Sequence, residues 1–203
     1  MLEQHQIRYK EGQEEYYKQL RGIDPKVLSN TKRAARFIAL NRTCYNGLYR
    51  VNKQDLFNVP WGKYKNPRIC DSDNLRNVSI VLRYYSNVTI KVSNYKEMLL
   101  ENAIEDDFIY LDPPYSPESS TAYFTNYTCF GFDNKDQQQL ADVFRKLDDR
   151  GCKVLLTNSD TPLIRNLYSG YAIVEVDAKR AINCKGSKRA GHKELIIRNY
   201  SNT

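Results

Sequence analysis

One junction constrains this chain more than any other feature: the apolar run Phe108-Ile109-Tyr110-Leu111 passes directly into Asp112-Pro113-Pro114-Tyr115. A short apolar run stopped by proline reads as a buried strand, because proline cannot donate to a sheet's hydrogen-bond ladder. Downstream, residues 135–149 carry Leu140, Val143, Phe144 and Leu147 at helical spacing, and 153–157 (KVLLT) form a second apolar run. Strand, helix, strand predicts a parallel pair. Residues 162–168 suggest a short helix. Residues 171–176 and 194–200 predict two more strands, an antiparallel pair joined by the basic loop 179–192, and the alternating run 88–92 (VTIKV) predicts another. The expected fold class is α/β, with a mostly parallel sheet and an antiparallel C-terminal strand pair.

The first part of the chain reads differently. Residues 11–21 predict a polar helix carrying Tyr16, Tyr17 and Leu20, ended near Asp24-Pro25. Residues 31–41 predict a second helix, with Ala34, Phe37, Ile38 and Leu40 as its apolar stripe and Asn30 as its cap. From 42 to 70 the pattern dissolves into Asn, Gly, Pro, aromatic and basic residues, as expected of a long loop or small hairpin region. Charge concentrates here: of a formal net +7 for the 203 residues, the stretch from Asn30 to Cys70 holds nine Lys or Arg against one acid, Asp55. A second basic cluster comprises Lys179, Arg180, Lys185, Lys188, Arg189, Lys193 and Arg198, set against Glu194. Two such patches suit a polyanionic partner, because Lys and Arg near phosphates release condensed counterions.

The junction at Asp112 sits where ligands gather in parallel α/β sheets, outside the carboxyl ends of the strands. Asp-Pro alone would be read as a turn with a capping aspartate; the full tetrapeptide after a strand supports chemistry. An exocyclic aromatic amine is a poor nucleophile, since its lone pair is delocalised into the ring. Asp112 can accept one of its N–H hydrogens and the Pro113 carbonyl the other, drawing the lone pair out of conjugation. The prolines fix the direction of that carbonyl and remove competing donors. Tyr115 offers a flat face on which an unstacked base can lie.

Other chemistries lack their residues. Only His5 and His192 are present, both in polar surroundings, and there is no GxSxG, phosphate-loop or paired metal-ligand spacing. Cys44, Cys70, Cys129, Cys152 and Cys184 are odd in number and far apart, so reduced structural thiols are expected and no metal. No apolar run approaches the length of a membrane span, and a cytoplasmic protein is expected.

Blocks spread over nearly the whole chain resemble the Dam-type, D12-class N6-adenine-specific DNA methyltransferases: LNRTCYNGLYR (40–50), FNVPWGKYKNP (57–67), FIYLDPPYSP (108–117), KVLLTNSD (153–160) and KELIIRNY (193–200). The resemblance implies a partial Rossmann-like methyltransferase sheet with an inserted helical or hairpin DNA-recognition region, placing recognition in 1–87 and catalysis in 88–203. It implies duplex DNA as partner and S-adenosylmethionine as methyl donor, with Asp112, Pro113, Pro114 and Tyr115 catalytic. Asp112 and Tyr115 would touch the methionine side of the donor, and Asn94 with Tyr95 would bracket its adenine. In the recognition region it implies phosphate contacts from Arg42, Asn46 and Lys63, a wedge from Tyr45, and base-edge contacts from Leu48, Arg50 and Pro60. A GATC-like site and a restriction–modification setting are expected. Tyr45 and Leu48 also suit a hairpin core, and Lys63 and Lys65 a solvated surface.

One departure from the family pattern stands out. The Trp-Ala-Gly-Gly-Lys-like opening and the Gly-rich cofactor loop are absent from these residues, where only Gly12 and Gly22 precede Gly47. The expectation is a truncated product, or one piece of a split enzyme whose second chain supplies the loop. Two alternatives remain open: a DNA-binding module that no longer methylates, and the same chemistry on RNA bases or protein amides.

Overall fold

The computed structural model of the chain describes residues 1–84, 87–117, 131–178 and 192–201. They fall into two compact units, Met1–Lys91 and Val92–Thr203.

In the first unit, α1 (Leu2–Gly22) starts well before the predicted helix and bends at Gln13, whose backbone leaves the helical region (φ 34°, ψ −103°). Its early turns are polar and bury only Tyr9, so no apolar stripe announces them. The second helix, α2 (Asn30–Thr43), is capped by Ser29, whose hydroxyl accepts from the Lys32 amide at 3.5 Å; Asn30, the expected cap, is already helical.

The buried stripe of α2 is also rotated from the expected one. Ala35, Arg36, Ala39, Leu40 and Thr43 face inward, whereas Ala34 and Phe37 are exposed and Ile38 is half-buried. Arg36 is the physical reason. Its guanidinium donates from Nε to the Leu20 carbonyl (3.0 Å) and from Nη2 to the Arg21 carbonyl (2.9 Å), satisfying last-turn acceptors of α1 that the helix itself leaves unpaired. A stripe containing a charge escapes any search for apolar periodicity. Arg36→Met, which keeps the stem and removes both bonds, is expected to destabilise this unit by about 1.5–3 kcal/mol. Urea denaturation followed by circular dichroism measures it, and an unchanged midpoint refutes the bracing role.

Around this helix pair lies a core of Tyr9, Tyr17, Leu20, Ala39, Leu40, Cys44, Phe57, Val59 and Ile69. The segment after α2 is irregular yet fixed, because α1 supplies polar side chains to its backbone. Tyr17 Oη donates to Val59 O (2.7 Å), Tyr9 Oη to Tyr64 O (2.7 Å) and Gln6 Nε2 to Pro67 O (3.0 Å). Gln6 Oε1 in turn accepts from the Ile69 amide at 2.7 Å. The unit ends with α3 (Ser72–Tyr84), a helix that the sequence reading did not anticipate, with Leu75, Val78 and Leu82 exposed at helical spacing.

Residues 88–92 are not a strand, contrary to the alternation of VTIKV. A strand needs a neighbour to accept its backbone hydrogen bonds. Among the described residues none flanks this segment, and Val88, Ile90 and Val92 are exposed. Alternation states what a strand would bury, without supplying what it would pair with.

The second unit opens with α4 (Tyr95–Asn102), also unanticipated, and continues as expected: β1 (Phe108–Leu111), α5 (Asn134–Asp149), β2 (Lys153–Ser159), α6 (Pro162–Leu167), β3 (Ala172–Ala178) and β4 (His192–Arg198). The described strands lie in the order β1-β2-β4-β3; β1 and β2 are parallel, and β4 is antiparallel to both β2 and β3. This is a mixed α/β sheet with the parallel pair and the antiparallel C-terminal pair that the sequence predicts, but it is not mostly parallel among the described strands, because β4 also pairs antiparallel with β2. One face of it is packed by helices, giving a core that includes Leu99, Ile109, Leu111, Leu140, Phe144, Leu147, Val154, Leu156, Ile164, Leu195 and Ile197. The other face shows Phe108, Tyr110 and Val174 exposed. The basic residues from Lys179 to Arg189 lie outside the described residues, as do Cys129 and Cys184; Cys44, Cys70 and Cys152 are unpaired thiols. No helix among the described residues is long and apolar enough to cross a membrane.

Candidate functional site

Strand β1 alternates exposed and buried, with Ile109 and Leu111 in the core and Phe108 and Tyr110 on the open face. Asp112 continues that alternation onto the open face, and Pro113 ends the ladder. The parallel register pairs Leu111 with Leu156, so one step further Asp112 comes abreast of Thr157. The Thr157 hydroxyl donates to Asp112 Oδ1 at 3.0 Å. The carboxylate is exposed and is in no ion pair among the described residues, where Oδ2 accepts no hydrogen bond.

Behind the carboxylate, the turn through Pro114 and Ser116 is held by buried amides. Gln137 Nε2 donates to Pro114 O (2.9 Å), Asn158 Nδ2 donates to Gln137 Oε1 (3.1 Å), and Asn158 Oδ1 accepts from the Ser116 amide (2.9 Å). Ser159 Oγ donates to Ser116 O. Gln137, Asn158 and Ser159 are all fully buried. Such groups are costly to bury unless bonded to one another, and here each is.

Tyr115 is half-buried, and its hydroxyl donates to Glu194 Oε2 at 3.4 Å. Burial pushes its phenol up, opposed by the neighbouring Thr157 hydroxyl, so the ring stays neutral at physiological pH. Asp112, Pro113, Pro114 and Tyr115 therefore stand together at the carboxyl end of β1. Asn94 and Tyr95 are engaged elsewhere. Asn94 Oδ1 caps α4 by accepting from the Lys96 amide (2.9 Å), and the Tyr95 ring packs on the helix-covered core. The Tyr95 hydroxyl is buried and has no partner among the described residues.

In the first unit, backbone pairing gathers residues far apart in sequence. The Tyr45 amide donates to Pro60 O (2.8 Å), the Gly62 amide to Thr43 O (2.9 Å), and Cys44 bridges antiparallel to Trp61. Arg42, Tyr45, Asn46 and Leu48 are thereby set beside Pro60 and Lys63. Gly62 permits the approach, since a Cβ there would sit 2.5 Å from the Cys44 carbonyl oxygen. Arg42, Tyr45, Arg50, Pro60 and Lys63 are exposed, while Asn46 and Leu48 are half-buried, Leu48 against the core. Asn46 and Lys63 both adopt left-handed backbone conformations, with φ of 54° and 59°. Arg50 closes a small hairpin: its Nε donates to Asn58 Oδ1 (2.8 Å) and its Nη2 to Asn58 O (3.3 Å).

Sequence reasoning missed Thr157, Asn158 and Gln137, although each left a trace. Thr-Asn-Ser ends an otherwise apolar strand, and Gln137 interrupts the stripe of α5 three residues before Leu140. A polar residue in a position destined for burial marks something that must be held.

The profile of the D12 class N6 adenine-specific DNA methyltransferases matches residues 2–182. The chain is similar to the type II methyltransferase M.MjaIII of Methanocaldococcus jannaschii, 52% identical over 171 residues, covering 83% of this chain and 58% of that protein. It is likewise similar to the type II methyltransferase M1.LlaDCHI of Lactococcus lactis subsp. cremoris, 41% identical over 207 residues, covering 100% of this chain and 71% of that protein. To the DNA adenine methylase of Escherichia coli K12 it is 34% identical over 185 residues, covering 90% of this chain and 64% of that protein.

Proposed function

Because this chain belongs to the D12 class of N6 adenine-specific DNA methyltransferases, we propose that it is the catalytic and DNA-reading portion of a site-specific adenine-N6 methyltransferase. The observation that carries this is an exposed carboxylate at a strand's carboxyl end, one oxygen held by Thr157 and the other without a hydrogen bond among the described residues, beside a Pro-Pro turn held by Gln137 and a neutral tyrosine. Tyr115 stacks on an adenine that has left the duplex. Asp112 Oδ2 and the Pro113 carbonyl accept the two N6 hydrogens, which returns the lone pair to nitrogen. Asp112 then takes the proton that N6 sheds and passes it to solvent. These acceptors need only be in place, so positioning and preorganised electrostatics supply the rate.

S-adenosylmethionine, when bound, supplies a methyl group on a sulfonium. Asp112 and Tyr115 are placed to meet its methionine end. Asn94 Oδ1 is spent as a helix cap, and the Tyr95 hydroxyl is buried without a partner among the described residues. The family's Gly-rich cofactor segment, which residues 1–203 do not contain, would complete the donor site.

The test is transfer of labelled methyl from S-adenosylmethionine to duplexes containing GATC, by this chain alone and with the polypeptide bearing that segment. Incorporation into adenine N6 that requires Asp112 is expected. Salt-sensitive DNA binding without incorporation under either condition supports the non-catalytic reading instead.

The loop built on the 44–61 pairing reads the sequence. Its exposed Arg50 fork, anchored on Asn58, makes the base-edge contact, and Arg42, Asn46 and Lys63 bind phosphates. Arg50→Ala is expected to relax preference at one base pair, by about 1–3 kcal/mol. Methylation rates on a panel of singly substituted duplexes read this out; the same preference in both proteins removes Arg50 from recognition.

A further inference from the structure

Consecutive residues of a strand point to opposite faces of its sheet, and the end of β2 uses this at one place. Thr157 is on the open face, abreast of Asp112. Asn158, the next residue, is on the packed face and fully buried, and it joins Gln137 in holding the backbone of Pro114 and Ser116. The two acceptors of the proposed reaction are thus braced from opposite sides by neighbouring residues of a strand other than their own.

The hydroxyl on the open face has a defined direction. Thr157 has one hydrogen and two lone pairs. An ionised carboxylate cannot donate, so the Thr157 hydrogen points to Asp112 Oδ1. The Tyr110 hydroxyl, 3.3 Å from Thr157 Oγ1, and the neighbouring Tyr115 phenol then face the lone pairs of Thr157. The bond from Thr157 fills one of the two carboxylate oxygens. What remains for a substrate amine is Oδ2, in one orientation.

We propose that Thr157 is a positioning residue for methyl transfer: it locks the Asp112 carboxylate with Oδ2 outward, while Asn158 and Gln137 fix the turn that aims the Pro113 carbonyl. This deepens, and rests on, the reading of Asp112 as the amine acceptor. Without the Thr157 bond the carboxylate rotates about its last torsion, a broad and shallow one, and the fraction aligned with N6 falls.

Thr157→Val is the central variant. Valine is β-branched and of similar shape, so strand geometry is retained and only the hydroxyl goes. In the active methyltransferase containing this chain, the single-turnover rate is expected to fall about 10- to 100-fold. KM for DNA and for S-adenosylmethionine should change less than about threefold, because no binding contact is lost. Thr157→Ser keeps the hydroxyl and is expected to recover most of the rate. A general loss of structure would lower both variants together and would show in their melting temperatures.

A second measurement does not depend on turnover. Crystals of the unsubstituted protein are expected to show one Asp112 carboxylate orientation with Oδ1 on Thr157, and Thr157→Val a rotated or divided one. An unchanged carboxylate in Thr157→Val, or a single-turnover rate equal to that of the parent, overturns the proposal. Asp112→Ala serves as the separate control: residual methylation in that variant removes the acceptor role itself, whatever Thr157 does.

Discussion

Replacing Asp112 with Asn is expected to reduce the single-turnover methylation rate by at least about 10²- to 10³-fold, as severely as replacing it with Ala. Asparagine is close to isosteric and still has a carbonyl, and a substitution judged by shape alone would be called mild. The hydrogen bond from Thr157 decides otherwise. That hydroxyl donates to Oδ1, so the amide of the variant settles with its oxygen toward Thr157 and its NH2 toward the substrate. A donor then meets the adenine amine, itself a donor, and the lone pair stays in the ring. The converse is a sharper result: in a Thr157→Val background the amide is free to turn its oxygen outward. The double variant Asp112→Asn, Thr157→Val should therefore lose less than the product of the two single losses. Rapid-quench measurement of methyl incorporation on one duplex distinguishes these outcomes, and strictly multiplicative losses would contradict the orientation assigned to Asp112.

The largest expected effect on stability falls in the helix behind the site. Phe144→Ala should destabilise the second unit by about 3–5 kcal/mol. Phe144 is fully buried in α5 and meets Tyr168 and Tyr171 edge-on, with ring centroids 5.3 and 4.7 Å away. Such pairs add about 0.5–1.5 kcal/mol beyond the area they bury. The cavity left by alanine would be lined by strand and helix residues that cannot all close upon it. Phe144→Leu, which refills most of the volume but loses the ring contacts, should sit between the two. Urea melts of the three proteins give the order; an alanine variant within about 1 kcal/mol of the parent would mean that the helix repacks freely. Gln137 is on the same helix, so the alanine variant should also lose methylation at temperatures below its own unfolding.

Legibility in the sequence followed the number of partners a residue needed. Elements whose apolar face alone determines them were plain: β1, α5 and β2 lie within two residues of expectation, and so does the antiparallel pairing of β3 with β4. The Asp112 tetrapeptide was plain as well, because prolines after a strand have few other uses. Residues 88–92 misled because a strand is a property of two segments, and the pattern of one does not supply the other. Arg36, Gln137 and Asn158 were invisible for a related reason. Each is a polar group buried at low cost only because a specific backbone atom waits for it, and that atom is 15 to 42 positions away in the chain. Helices α3 and α4 escaped because the first leaves its apolar face outward and the second is too short for its period to stand out.

The abreast placement of Asp112 and Thr157 has a consequence for how such a sheet can change over generations. Their meeting depends on a count of residues in two strands, so single replacements at Ile109, Tyr110 or Leu155 leave the meeting intact. A one-residue insertion or deletion in β1 would turn the carboxylate toward the packed side and carry Leu111 into water at the same moment. A length change in a loop leaves that count untouched, so the loops can absorb insertions that the two strand segments cannot.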